Sequence, residues 1–172
     1  TLFPYTTLFR SAYAGHFYSA GGKVRALPDP AHPAAAISAA ARGFAEVFPA
    51  SRSALILFGH LTERKGTLTL LEALARLRPE TAARVAVMLA GRIDPAIRDT
   101  VAAAHDRLAA QQPRLWLHVE DRRLESGEIE ALVARADVVL APYQRFVGSS
   151  GVLLWAARAG KPGAARAAGS AC

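Results

Sequence analysis

The groups best suited to chemistry in this sequence gather in two short, glycine-bounded loops. The first is Gly59-His60-Leu61-Thr62-Glu63-Arg64-Lys65-Gly66. Gly59 lets the backbone turn and lets a ligand approach closely, and Lys65 sets a flexible point charge near the start of the next helix, where backbone N–H groups already favour anions. Such a loop either cradles a diphosphate or is a solvated basic surface, and spacing alone does not choose. The second is Gly148-Ser149-Ser150-Gly151, directly before another helix, where small residues expose N–H groups to a phosphate or a serine simply caps the helix. Gly91-Arg92 and Glu120-Asp121-Arg122-Arg123 are weaker polar loops of the same kind.

Other chemistries lose weight. His16, His32, His60, His105 and His118 show no metal-ligand spacing and the single cysteine is Cys172, so neither a metal site nor a disulfide is expected. No P-loop and no Gly-x-Gly-x-x-Gly fingerprint follows the first strand, which counts against NTP hydrolysis and dinucleotide redox, and no cofactor is expected. His118, inside an apolar run, reads as a hydrogen-bonded core histidine, and Trp116 and Trp155 read as core packing.

The elements that must position these loops alternate regularly. Pro33 to Phe48 has apolar residues at near-helical spacing and predicts an amphipathic helix. Ala54 to Phe58 is a continuous apolar run of the kind buried on both faces of a parallel sheet. Helix over Thr67 to Leu77, strand over Val85 to Ala90, helix over Pro95 to Ala110 and strand over Leu115 to Val119 follow. Then come a helix from Glu128 to Ala134, a strand over Val138 to Ala141 stopped by Pro142, and a helix from Gly151 to Ala159. This alternation predicts an α/β fold, a doubly wound parallel sheet in a single domain, with ligands outside the carboxyl ends of the strands. Val24 to Leu27, stopped by Pro28-Asp29-Pro30, reads as an extended entry.

At 172 residues, 52% hydrophobic and 20% charged, the chain has room for one packed domain and is too short for two of ordinary size. Its apolar runs fall far below the ~20 residues of a membrane span, so no transmembrane segment is expected. The formal charge of +7 invites phosphate-bearing partners: nucleotides, nucleic acid or an anionic membrane. Nucleic acid is the weakest of these, because the charges read as spread along helices and loops without exposed aromatics on one face. With one cysteine, a cytoplasmic setting is expected, with peripheral membrane contact left open.

Both ends are unusual. Thr1 to Ser11 resembles the in-frame translation of a sequencing adaptor oligonucleotide and is expected to be an artefact of assembly. Gly163 to Cys172 has neither strand alternation nor a helical apolar face, and reads as an unstructured or frame-changed tail. The folded domain is therefore expected over 12–162.

One resemblance ties the pattern together. Leu57-Phe-Gly-His-Leu-Thr-Glu-Arg-Lys-Gly66, Leu70-Leu-Glu-Ala-Leu74, Met88-Leu-Ala-Gly91, Ala136-Asp137-Val-Val-Leu-Ala-Pro142 and Ala159-Gly-Lys-Pro162 occur in order. Together they resemble the C-terminal, Rossmann-like domain of GT-B retaining glycosyltransferases of the group 1 type. The resemblance implies a nucleotide-sugar donor whose diphosphate meets Gly59, His60, Lys65 and the Gly148, Ser149, Ser150 and Gly151 stretch. His60 stands where the family usually has arginine, and so lacks the permanent charge and bidentate fork. The family's Glu-x7-Glu positions are Val147 and Trp155 here, so no catalytic residue is assigned. The family's N-terminal acceptor domain and the strand expected after Pro162 have no counterpart in the pattern. The chain is thus expected to be half of an enzyme, inactive alone, or else a non-catalytic Rossmann-like binding module.

Overall fold

The computed structural model describes residues 36–144 and 150–165. The extended entry at Val24 to Leu27, the suspected adaptor segment, Gly148 and Ser149, and the stretch from Arg166 on lie outside the described residues.

Five parallel strands form one sheet in the order β3-β2-β1-β4-β5. They are β1 (Ser53–Phe58), β2 (Val85–Ala90), β3 (Trp116–Glu120), β4 (Val138–Ala141) and β5 (Gly163–Ala165). The helices are α1 (Ala39–Ala45), α2 (Thr67–Ala75), α3 (Pro79–Ala82), α4 (Arg98–Gln111), α5 (Ser126–Arg135) and α6 (Gly151–Arg158), with a 3₁₀ turn at Glu63–Lys65.

Alternation along the central strands builds a core on each face. In β1, Ala54, Ile56 and Phe58 join one apolar cluster with Met88, Leu132, Val152 and Ala156, from β2, α5 and α6. Leu57 turns to the other face, with Leu71, Leu74, Leu89, Val101 and Leu108 from α2, β2 and α4. Each fully buried Leu or Ile contributes roughly 1.5–3 kcal/mol by leaving water, which explains why both faces of β1 and β2 are apolar throughout.

The chain winds β1 to β2 to β3 in one direction with α2 and α4 on one face, then crosses back to β4 with α5 and α6 on the other. Right-handed crossovers require that change of face when direction reverses. The switch therefore falls between β1 and β4, which pair in parallel through Leu55↔Val138 and Ile56↔Val139.

Most predicted elements are present, and the differences have local causes. Thr67 does not cap α2; Gly66 is the N-cap, while the fully buried Thr67 donates its hydroxyl to the Thr62 carbonyl at 3.0 Å. Helix α4 starts at Arg98 rather than Pro95, because Asp94 Oδ1 accepts the Ala96 N–H and holds a turn there. Helix α5 begins two residues before the predicted Glu128, where Glu128 reaches back to accept the Glu125 N–H at 2.9 Å. His118 is not in the core: β3 is an edge strand, and His118 is 36% exposed, stacked on Trp116 and 3.3 Å from Glu120. Trp116 and Trp155 pack as expected, against Phe48 and Phe58.

The expected unstructured tail is corrected over its first three residues. Gly163–Ala165 pairs in parallel with Val139, Leu140 and Ala141, so a strand does follow Pro162. Its three small, exposed residues show no alternation because the backbone ladder, not side-chain burial, holds it.

Candidate functional site

The loops after β1 and β4 meet over the switch point. Gly66, at φ 77°, lies so close to Pro142 that an added Cβ would strike the Pro142 carbonyl. Beside it the Gln144 N–H donates to the Arg64 carbonyl at 2.8 Å. The loop after β1 and the residues that directly follow β4 are therefore joined in one rim.

Lys65 is the charged centre of that rim. The 3₁₀ turn, capped by Thr62 Oγ1 on the Lys65 N–H at 3.2 Å, folds the side chain back across the end of β1. There Nζ donates to the Phe58 carbonyl at 2.7 Å. Gly59 makes room for it: at φ 94°, a Cβ on Gly59 would stand 2.7 Å from Nζ. Burial, and secondarily the neighbouring Arg64 charge, lower the Lys65 pKa from 10.5 to about 8. An ammonium held partly dry, with a carbonyl as its acceptor, still has donors for an anion.

Beside this rim lies a pocket of about 460 Å³ across the carboxyl ends of β1, β2 and β3. Gly59, His60, Gly91, Arg92, Asp94, Pro95, Arg123, Leu124 and Ile129 line it. Arg92 and Arg123 bring guanidinium groups, Asp94 a carboxylate, and Leu124, Ile129 and Pro95 an apolar wall. Arg122, by contrast, is already engaged: Glu120 and Glu128 hold it at 2.6–2.9 Å, which raises its pKa and lowers that of Glu128. Asp121 is likewise spent on Arg98 and on the Ile93 N–H.

The structure thus brings Gly59 and His60 into the pocket and Lys65 to its border. Ser150 and Gly151 lie after β4, at the start of α6. The buried Ser150 hydroxyl is occupied, 2.8 Å from Tyr143 Oη and accepting from the Leu153 N–H at 3.4 Å, so it acts as the helix cap. The N–H groups of Gly151 and Val152, in the first turn, have no acceptor within an α-helix. Trp155 sits edge-on to Phe58 with the Arg158 guanidinium 4.3 Å over its ring. Arg158 pairs in turn with Glu130.

Sequence reasoning missed Leu124 and Ile129. Leu124 is one apolar residue inside a charged loop, and Ile129 belongs to a helix whose apolar positions all read as core. Among the described residues, no His, Cys, Asp and Glu side chains gather as metal ligands, and no helix is long and apolar enough to cross a membrane.

A parallel, doubly wound sheet with a switch point between β1 and β4 defines a Rossmann-like class of α/β domain. Comparison with known proteins narrows it. The sequence profile described as Glycosyl transferases group 1 matches residues 52–172, and the chain belongs to that family.

Solved structures agree on the fold. A Burkholderia vietnamiensis α,α-trehalose-phosphate synthase (UDP-forming) superposes with TM-score 0.61 at 17% identity over 83% of this chain and 35% of its own. Anabaena HepE, crystallised with UDP and glucose, gives 0.60 at 21% identity over 90% of this chain and 42% of its own. The C-terminal domain of a group 1 glycosyl transferase, LpcC, from Francisella tularensis gives 0.57 at 17% identity, covering 66% of this chain and 57% of that one. The chain thus spans between about a third and three-fifths of these structures. No curated protein sequence matches it.

Proposed function

We propose that this domain binds the donor of a glycosyltransferase, a nucleotide sugar, with its diphosphate against Lys65 and the first turn of α6 and its nucleoside in the pocket beside Gly59 and His60. The observation that carries this is the Lys65 ammonium, held part-buried on the last carbonyl of β1 against Gly59, which lines a pocket of nucleoside size. Burying a cation costs free energy unless a partner returns it, and a diphosphate does so with charge-assisted hydrogen bonds. The apolar wall of Leu124, Ile129 and Pro95 suits a base, and the guanidinium groups of Arg92 and Arg123 suit its carbonyl edges.

Transfer needs an acceptor held opposite the donor, and nothing described on this chain offers a second wall to the crevice. On this reading the 172-residue chain binds the donor and does not turn it over. Nucleoside diphosphates should bind at least about ten-fold more tightly than inorganic pyrophosphate in calorimetric titration. Equal affinities would remove the nucleoside from the pocket. Sugar transfer or donor hydrolysis by the isolated chain would overturn the claim of inactivity.

A second reading, a binding module that no longer catalyses, is favoured by one observation. Trp155 occupies the helix position where the resemblance places a glutamate, and it is packed into an aromatic and cationic cluster with no carboxylate function. The two readings separate on the longer protein: turnover once an acceptor domain is supplied supports the enzyme.

A further inference from the structure

The edge of the sheet opposite the crevice carries a charge pattern that donor binding does not use. In a parallel sheet every strand starts, and every crossover helix ends, on the same edge. Here that edge collects Arg52, Arg76, Arg78, Arg84, Arg114, Arg135, Arg158 and Lys161, against Glu46, Glu80, Asp137 and the Glu130 that pairs with Arg158. Arg76, Arg78, Arg84 and Arg114 lie at or near the surface. Among the described residues the first six form no ion pair, whereas Arg158 pairs with Glu130, and Arg98 and Arg122 on the crevice edge pair with Asp121 and Glu128. Among the described residues, cations outnumber carboxylates on this underside.

The patch is built as well as charged. Arg52 Nη1 donates to the carbonyls of Arg114 at 2.6 Å, Val85 at 3.3 Å and Ala82 at 3.4 Å, so it ties the starts of β1, β2 and β3 together while keeping its charge. A shallow pocket of about 420 Å³ lies there, lined by Ser53, Arg78, Thr81 and Arg84 with Glu80 at its rim. Asp137 is the carboxylate that lies within this edge, its Oδ2 accepting the Ala54 N–H at 2.8 Å. Val47, one of three large apolar residues left exposed among those described, follows α1 onto this same edge and is 37% exposed.

We infer that this underside docks on an anionic lipid surface, with the arginines against phosphate headgroups and Val47 at the level of the acyl boundary. Guanidinium groups near such a surface gain from its negative potential, and an apolar residue among them fits the interfacial zone. Nucleic acid fits less well, since none of the large exposed apolar side chains described is aromatic and bases would find no stacking platform. The crevice, on the far edge, would face away from the membrane and stay open to a soluble donor.

Co-sedimentation of the 172-residue chain with phosphatidylcholine vesicles, with and without 30 mol% phosphatidylglycerol, tests this. Binding should require phosphatidylglycerol and vanish when NaCl rises from about 0.1 to about 0.5 M. Each arginine near the surface is worth about five-fold in affinity, so Arg78→Glu with Arg84→Glu should weaken binding at least about 25-fold. Arg92→Glu with Arg123→Glu changes net charge equally on the crevice edge and should weaken it by less than about three-fold. Circular dichroism melts establish that both variants fold. Equal loss in the two pairs, no preference for phosphatidylglycerol, or tighter binding to a 30-nucleotide RNA than to the vesicles would each overturn the inference.

Discussion

Replacing Lys65 by methionine should make the empty domain more stable at neutral pH, an unusual outcome for removing a hydrogen-bonded side chain. In the folded chain burial lowers the Lys65 pKa from 10.5 to about 8. That shift of roughly 2.5 units corresponds to a cost of about 3 kcal/mol whenever both states are protonated. Methionine keeps the length and the apolar stem but loses the bond to the Phe58 carbonyl, worth about 1 kcal/mol. The net expectation is a gain of roughly 2 kcal/mol at pH 7. The sign follows from proton counting: between pH 8 and 10.5 the unfolded chain holds its lysine proton more tightly, so wild-type stability rises with pH there. The variant lacks that contribution, so the gap between the two should close near about pH 10 and reverse above it, where only the lost hydrogen bond counts. Urea denaturation of both proteins at pH 7, 9 and 10.5 measures it. A variant no more stable than wild type at pH 7, or a gap independent of pH, would refute the claim that the ammonium is held at a cost.

Further consequences attach to other residues. Gly66→Ala places a Cβ against the Pro142 carbonyl at φ 77°, so it should separate the rims after β1 and β4, cost more than about 2 kcal/mol in urea denaturation and weaken nucleotide binding along with it. Ser150→Ala removes the α6 cap and the hydroxyl that faces Tyr143 Oη; thermal denaturation should show a loss of about 1–2 kcal/mol. Donor affinity, measured by calorimetry between pH 7 and 9.5, should fall as Lys65 loses its proton above about pH 8, and should be flat with pH in Lys65→Met.

Much of the fold was legible because β1 and β2 are buried on both faces, so their apolar runs end at Gly59 and Gly91, where the loops begin. Lys65 and Gly59 were legible as a pair for the same reason. The tail was not: Gly163–Ala165 is held by backbone hydrogen bonds alone, which leave no trace in side-chain pattern. Nor could the pairing of Ser150 with Tyr143 be read, since that contact depends on how the chain returns after β4. Leu124 and Ile129 were hidden because an apolar residue that lines a pocket looks like one in a core, and both also pack against the core. The cluster of arginines on the underside was not legible either, as arginines far apart in sequence share an edge only once every strand runs the same way.

The central claim is that the crevice at the carboxyl ends of β1 and β4 holds a donor diphosphate on Lys65. Calorimetric titration of nucleoside diphosphates and their sugars against wild type and Lys65→Ala at pH 7 tests it most directly. A charge-assisted contact of about 1.5–3 kcal/mol predicts a loss of roughly 10- to 150-fold. Wild-type binding that survives the substitution within about three-fold, or a wild-type chain that binds no nucleoside diphosphate at all, would contradict it.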